Sequence, residues 1–319
     1  MWKAAWVNPD AYEQRPDRVV AHFERAGLNR AFVLQPGLQS GTLDGFGHIV
    51  DALSDIGVEV HLWVWCLEFI RNEYAFSGQP SSVLAQFVGG IADLLEQFPR
   101  LSGVQPDGIR VNKYDISPRS GPNAHRPMVD EAITAAVSSV MRAIREVTPG
   151  YTMTAAIRTA TYGGDLSGGP YGDPVFWEAG TPFFREVQQD ALRWLDEGWV
   201  DLLVPMNYQA RWENWLFEVD WWREHGDPSK IVMGVGWCPD RGNYRIAPQG
   251  VRDRLAALDG LAGFSVFQAM QPGYDDGLER ELEQVLGEVV GVQLDDEVWG
   301  LARDLRGIAD RLDRIAGIL

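Results

Sequence analysis

The sequence predicts a TIM-type (β/α)₈ barrel over residues 1–288. Short apolar, β-rich runs alternate with helical patterns along this whole stretch, and there are eight such runs. Seven connecting helices and one helix after the last run complete the number that a barrel requires. The first run leads into WVNPDAY and not into a glycine-rich dinucleotide-binding loop, which disfavours a doubly wound sheet.

Most of the predicted strands are near-continuous apolar runs, as expected when helices cover a parallel sheet and side chains fill its interior. The strands are predicted at residues 3–8, 30–35, 58–65, 108–114, 151–157, 200–208, 231–237 and 263–269. Between them, residues 17–27 and 128–147 carry apolar side chains at helical spacing. In a barrel, the segments that follow strands lie on the carboxyl-terminal face, where active sites are built.

Two long connections rich in glycine, proline and aromatic residues follow the fourth and fifth predicted strands, at residues 115–127 and 158–177. Long loops on the carboxyl-terminal face of a barrel usually shape a ligand cleft. We therefore expect a ligand site on this face. The alternative is a surface decoration without a ligand.

The charge balance excludes several classes of partner. The chain has 45 Asp and Glu against 28 Lys and Arg, a formal net charge of −17. Such a surface disfavours nucleic acid, whose phosphates require basic side chains, and it equally disfavours an anionic membrane. No segment is long and apolar enough to span a bilayer, and the start MWKAAWVNPD has no signal-peptide pattern. The sequence thus predicts either a cytoplasmic protein or one that leaves the cell without a signal.

No cofactor or metal is predicted. Cys66 and Cys238 are far apart and form no metal pattern, so buried free thiols are expected, with a single disulfide as the alternative. The five histidines are scattered, and only His61 falls on a predicted strand. Neither a His-x-x-x-His pair nor a Gly-x-Ser-x-Gly turn is present, which argues against zinc proteases and serine esterases.

The last residues predict a helix that associates with copies of itself. Apolar residues recur with spacings of three and four at Val298, Leu301, Leu305, Ile308, Leu312, Ile315 and Leu319. This is a coiled-coil heptad pattern, and Leu at one core position with Ile at the other favours a trimer or tetramer. We expect a linker at 289–297 and an oligomerising helix at 298–319. The alternative is a last helix that packs on its own barrel.

The 13 tryptophans are numerous for this length, and several fall near predicted strand ends. An indole must find a partner for its N–H when it is buried. Some of these side chains are therefore candidates to stack on sugar rings. A bulky core is the alternative.

Two segments carry a resemblance to a known group. DGIRVNKYD at 107–115 and VPMNYQ at 204–209 resemble the glycoside-hydrolase-like barrel family, distant relatives of the chitinase clan. The most specific match is QQDALRWLDEGWVDLLVPMNYQ at 188–209. The resemblance covers residues 1 to about 288 and implies a barrel whose ligand is a polysaccharide.

In these relatives an Asp-Gly-Ile strand projects alternate residues inward and usually ends in an Asp or Glu that acts on the glycosidic bond. Asp107 and the two residues after it match the start of this strand. The inward positions at which the family places acids are then taken by Arg110, Asn112 and Tyr114. Asn112 stands where the family's hydrolases usually carry Asp, and an amide cannot transfer a proton at neutral pH.

Other carboxylates are candidates to replace the missing acid, because glycoside hydrolysis normally needs two carboxyl groups about 5 Å or about 6.5–9.5 Å apart. Asp115, three residues beyond Asn112, is the best-placed substitute, with Glu68 or Asp240 as its partner. Asp10 and Asp165 are expected on the same face. Each of these side chains also has a plain structural interpretation as a loop cap or an ion-pair partner.

Contacts to the polysaccharide are expected from polar and aromatic side chains at the barrel mouth: Arg110, Asn112, Tyr114, Arg158, Asn207, Tyr208, Trp237 and Gln268. Three hypotheses follow: a glycosidase, a barrel that binds glycan without cleaving it, and a structural component carried by the coiled coil. A multivalent glycan-facing barrel would suit a phage tail that meets cell-wall polysaccharide, since multivalency raises avidity.

Overall fold

The computed structural model describes residues 1–38, 41–66, 82–109, 131–157, 189–208, 212–237, 246–267 and 276–290. Within these ranges it contains eight strands: β1 Trp2–Val7, β2 Arg30–Leu34, β3 Glu59–Trp65, β4 Leu101–Asp107, β5 Thr152–Ile157, β6 Leu202–Pro205, β7 Val232–Gly236 and β8 Gly263–Phe267. They pair in parallel in the order β6-β5-β4-β3-β2-β1-β8-β7. A bridge between Leu203 and Ile231 joins the two ends of the sheet, so the predicted barrel is confirmed.

Helices cover the outside of the barrel. Those in the described ranges are α1 Pro9–Gln14, α2 Pro16–Ala26, α3 Leu43–Asp55, α4 Ser82–Gln97, α5 Glu131–Val147, α6 Ala191–Asp196, α7 Trp212–His225, α8 Pro248–Ala256 and α9 Asp276–Val290. Local signals set several of their ends. Helix α2 begins at Pro16 and ends before Gly27, whose φ of 62° suits a residue without a Cβ. The Thr42 hydroxyl accepts a hydrogen bond from the Gly45 N–H at 3.0 Å and caps α3.

The position of the fourth strand differs from the prediction. We expected it at 108–114, but β4 is Leu101–Asp107. Gly108 follows with φ 67°, a left-handed conformation that ends the extended strand. Pro106 lacks an N–H, and it is tolerated because the pairing between β4 and β5 covers only Gly103 and Val104. The prediction that residues 107–115 lie on this strand is confirmed for Asp107 and wrong for Gly108 and Ile109, while residues 110–115 lie outside the described ranges.

The apolar core has two layers separated by the sheet. The inner layer fills the barrel and includes Trp6, Phe32, Trp63, Val204 and Tyr208. The outer layer packs the other face of the strands against the helices. Side chains alternate between the two layers along each strand, because successive residues of a strand point to opposite faces. This alternation decides which residues can reach a ligand at the barrel mouth.

The last described helix is fastened to the second by a buried cluster of charged and polar groups. Glu283 of α9 accepts hydrogen bonds from Arg25 of α2, at 2.7 Å from Nε and 2.5 Å from Nη2. Its Oε1 also lies 3.1 Å from His22 Nδ1. Helix α9 continues to Val290, two residues beyond the predicted barrel boundary, and the predicted coiled coil lies outside the described residues. None of the described helices combines the length and apolarity needed to cross a membrane.

Candidate active site at the carboxyl end of the barrel

Asp107 is the last residue of β4 and lies level with Trp65 at the carboxyl-terminal edge of the barrel. Two residues earlier on the same strand, Gln105 is fully buried and accepts a hydrogen bond from the Thr154 hydroxyl of the neighbouring strand β5, inside the barrel. Because alternate residues share a face, the Asp107 side chain also belongs to the inner face. The fourth strand thus ends in an inward-facing carboxylate at the mouth.

The Asp107 carboxylate receives a donor at each oxygen. The Trp63 indole N–H donates to Oδ2 at 3.2 Å, and the Gly108 backbone N–H donates to Oδ1. The backbone at the end of β4 is also fixed, because the Asp107 carbonyl accepts a hydrogen bond from the Cys66 N–H at 2.7 Å. Asp107 is 5% exposed, so its position is determined by these contacts and not by solvent.

Aromatic rings form the floor beneath this carboxylate. Trp6 meets Trp63 edge-on with ring centroids 4.7 Å apart, and it lies 4.8 Å from Phe32 and 6.0 Å from Phe267. Trp6 and Trp63 are both almost fully buried. These two tryptophans are therefore core side chains under the mouth, whereas Trp65 and Phe267 at the strand ends are partly exposed.

A histidine lies deeper in the barrel. The His61 ring packs between Trp2, at 5.2 Å, and Phe32, at 5.8 Å, and it lies against the backbone of Gly103. Burial, reinforced by the nearby Arg30 charge, lowers the pKa of His61 to about 3. Its two ring nitrogens have no hydrogen-bond partner within the described part of the chain. The imidazole is neutral at physiological pH, so it is not a proton donor for chemistry at the mouth.

Tyr208, predicted to bind the ligand, lies on the inner side of the barrel. It follows β6, is 3% exposed and stacks on Phe267 with ring centroids 4.7 Å apart and planes 9° from parallel. Glycines in β7 leave room for it, since a Cβ on Gly234 would come within 2.9 Å of the ring. The structure thus brings Tyr208 to the same end of the barrel as Asp107.

Two other predicted ligand residues face away from the interior. The Asn207 side chain donates to the Trp215 carbonyl of α7 at 2.9 Å, which ties the end of β6 to the helix outside it. Trp237 follows β7 and belongs to the outer apolar layer with Ile246. Both side chains are buried. Their predicted contact with a polysaccharide stays a prediction.

The remaining predicted site residues lie outside the described residues. They are the carboxylates Glu68, Asp115 and Asp240 and the binding candidates Arg110, Asn112, Tyr114, Arg158 and Gln268. Cys66 is a buried free thiol, as predicted, while Cys238 falls outside the described ranges. Burial and the neighbouring Asp107 carboxylate raise the pKa of the Cys66 thiol, so it carries no thiolate at neutral pH. In the described ranges, no group of three or more metal-ligating side chains is found.

Asp107 is part of the predicted motif but was not predicted as the inward carboxylate. Because the strand was predicted too late along the chain, the expected position of the acid fell at Asn112, five residues beyond Asp107. The available signal was Gly108, since a glycine after Asp is a common strand end. It was outweighed by the β-branched residues that follow it.

No protein-family model matches the sequence, and no curated protein matches it. Solved structures do resemble the fold. The glycoside hydrolase domain of PgaB (BpsB) from Bordetella bronchiseptica is 12% identical, with a TM-score of 0.61, over 90% of this chain and 99% of that one. The spore cortex-lytic enzyme SleL of Bacillus cereus is 11% identical, with a TM-score of 0.56, over 90% and 74%.

A third similar structure is the GH18 chitinase ChiB of Flavobacterium johnsoniae, 10% identical with a TM-score of 0.54 over 90% of this chain and 94% of that one. At these identities the likeness concerns the fold alone. It confirms the resemblance that DGIRVNKYD and VPMNYQ indicate, a parallel eight-stranded barrel of the kind found in chitinase-clan glycoside hydrolases.

Proposed function

We propose that this chain is a glycoside-hydrolase-like barrel that acts on a polysaccharide, with Asp107 as the carboxylate that reaches the glycosidic bond. The observation that carries the proposal is the position of Asp107, an inward carboxylate at the end of β4 with a donor on each oxygen. A strand that ends in an acid at the carboxyl-terminal face of a barrel is the usual setting for catalysis.

The chemistry is hydrolysis of an acetal. Water breaks the C–O bond at the anomeric carbon, its hydroxyl joins that carbon, and the leaving oxygen takes up a proton. One carboxyl group supplies the proton and a second carboxylate activates water or attacks the sugar. We assign one of these two roles to Asp107. The partner is proposed among Asp115, Glu68 and Asp240, which the sequence predicts at the same face.

Tyr208 is the described residue that we propose as a second contact. Its ring lies on the inner side, stacked on Phe267, at the mouth that Asp107 also faces. An aromatic side chain with a hydroxyl offers both a flat apolar face and a hydrogen-bonding group to a sugar. Arg110, Asn112 and Arg158 remain proposed contacts, and the two arginines would suit an acidic sugar.

The second candidate function is a barrel that binds glycan without cleaving it. The sequence resemblance favours this alternative, because it implies an acid where Asn112 stands, and Asn offers a donor and an acceptor to sugar hydroxyls but cannot transfer a proton. In that case Asp107 would accept hydrogen bonds from the ligand. A structural role in a phage tail, with the helix at 298–319 joining several barrels, is a further proposal that rests on the heptad pattern.

Product analysis separates these functions. Full-length protein is incubated with chitin, spore cortex and a panel of cell-wall polysaccharides, and new reducing ends are measured together with pull-down of the protein by each polymer. Cleavage that is lost in Asp107→Asn supports the hydrolase. Retention on a polymer without any product supports the binder, and neither retention nor product on the whole panel contradicts both.

A further inference from the structure

We propose that Trp63 is a positioning residue for Asp107, and that its indole N–H holds the carboxylate in the orientation needed to act on the sugar. This inference rests on the proposed function. The residue belongs to β3, on the strand next to Asp107, and nothing in the sequence pattern singled it out from the other tryptophans. Its assignment comes from a single contact and from the packing that supports it.

The contact links the neighbouring strands β3 and β4, and it joins two residues that are not directly paired. Trp65 pairs with Asp107 at the rim, and Trp63 pairs with Gln105 one inward position below. From that lower position the Trp63 Nε1 donates to Asp107 Oδ2 at 3.2 Å. The donor therefore approaches the carboxylate from the floor of the barrel.

The two donors to Asp107 do different work. Gly108 is the next residue along the chain, so its N–H moves with Asp107. Trp63 comes from another strand and ties the carboxylate to the frame of the barrel. With one donor at each oxygen, rotation of the carboxylate about its Cβ–Cγ bond is blocked. A fixed carboxylate is what catalysis by orientation requires.

The indole is itself held in place. Trp63 is 5% exposed, and its ring meets Trp6 edge-on with centroids 4.7 Å apart and planes at 79°. The two tryptophans differ in one respect that matters. Within the described residues the Trp6 Nε1 has no hydrogen-bond partner, whereas the Trp63 Nε1 has Asp107. Trp6 is thus a matched control for the loss of an indole N–H at this floor.

The test replaces each tryptophan in turn by benzothienylalanine, in which sulfur takes the place of the indole N–H and the shape is kept. At position 63 we expect kcat to fall about tenfold to hundredfold, the effect of losing a hydrogen bond to a charged group, with KM nearly unchanged. The limb of the pH–kcat profile that reports Asp107 should move to higher pH by about one unit, because the ionised carboxylate loses a donor. This is the acidic limb if Asp107 acts as base or nucleophile and the alkaline limb if it supplies the proton. The same replacement at position 6 should leave the profile in place. Trp63→Phe serves as a second variant if the first does not fold.

A second readout does not depend on activity. The indole ¹H–¹⁵N signal of Trp63 in the full-length protein, assigned by its loss in Trp63→Phe, should titrate with pH, and Asp107→Asn should shift it and abolish the titration.

An indole signal that responds neither to pH nor to Asp107→Asn, or a pH profile unmoved by the position-63 replacement, would overturn the inference. If the signal titrates as expected but no polysaccharide is cleaved, the hydrogen bond stands and the hydrolase proposal fails. If cleavage depends on Asp107 while the Trp63 readouts do not move, the hydrolase proposal stands and the positioning role of Trp63 fails.

Discussion

Tyr208 stacks on Phe267 with the two ring centroids 4.7 Å apart and the planes 9° from parallel. The stack lies at the seam of the barrel, where, among the described residues, a bridge joins Leu203 of β6 to Ile231, the residue before β7. Beside it, Gly234 offers no side chain, so the turn after β6 can approach β7 closely. A Cβ at this position would lie 2.5 Å from the Pro205 carbonyl oxygen and 2.9 Å from the Tyr208 ring. The placement of Tyr208 therefore depends on Gly234.

Gly234→Ala should destabilise the barrel and move Tyr208. The new methyl group meets a backbone oxygen, which cannot move aside as a flexible side chain would, so strain of about 1–3 kcal/mol is expected. Urea unfolding followed by tryptophan fluorescence measures the loss.

Gly89→Ala is the matched control for this change. Gly89 lies in α4, and a Cβ there meets nothing within 4 Å. Alanine is the better helix former, so this variant should gain about 0.5–1 kcal/mol. Equal stability of the two variants would mean that the close approach at Gly234 has been misjudged.

The cluster of Glu283 with His22 and Arg25 should make stability depend on pH. Burial alone would raise the pKa of Glu283, but hydrogen bonds from His22 and Arg25 outweigh it and hold this pKa below its ordinary value. The stabilisation is then complete above the unfolded-state pKa of about 4.3 and is lost as the pH falls through the lower folded value. Glu283→Gln should cost about 2 kcal/mol at pH 7, because Arg25, whose side chain is 20% exposed, loses its charged hydrogen-bond partner. The loss should shrink toward pH 3, which urea unfolding at several pH values measures.

Glu288→Gln is the control on the same helix. Glu288 pairs with Arg252 at 2.8 Å, but the pair is on the surface. Exposed ion pairs contribute little to stability, so this change should leave the unfolding curves nearly superimposed at each pH. A Glu283 variant as stable as the Glu288 variant at pH 7 would show that the cluster does not fasten α9 to α2.

Removal of the predicted coiled coil should change the mass of the assembly. Truncation after Asp296 deletes the apolar heptad positions from Val298 to Leu319. If these residues associate, light scattering should report a trimer or tetramer for the full chain and a monomer for the truncated one. The circular dichroism spectrum of the truncated chain should show that the barrel is still folded. A full-length monomer would contradict the predicted oligomer. An assembly with the same number of chains before and after truncation would contradict it as well.

The barrel was predictable from the sequence because it repeats. Each strand is an apolar run and each is followed by a helical pattern, so one misplaced strand does not change the count. Six strands agree with the prediction to within two residues at either end, as with residues 58–65 for β3 at Glu59–Trp65, and β6 ends three residues before its predicted end. The periodic signal was strong enough to give both the number and the order of the elements.

The position of the fourth strand was predicted wrongly because the local strand preference and the tertiary structure disagree there. Leu101–Asp107 contains Gly103 and Pro106, which are poor strand formers, whereas the residues after Gly108 are rich in β-branched and aromatic types. Pairing with β3, which covers every residue of β4 except Ser102 at a register shift, outweighs the weak local preference. The positive φ of Gly108 and the bond from Trp63 to Asp107 depend on the three-dimensional structure and could not be read from one sequence.

Asp107 is proposed as the carboxylate through which this barrel acts on its polysaccharide. The most direct measurement is the release of reducing ends from the polymer that retains the protein, compared between wild type, Asp107→Asn and Asp115→Asn. We expect Asp107→Asn to lower kcat by about a thousandfold or more while pull-down by the polymer is retained, a loss confined to the transition state. Asp115→Asn should have the same effect only if Asp115 is the second carboxyl group. Cleavage by Asp107→Asn at the wild-type rate would contradict the claim.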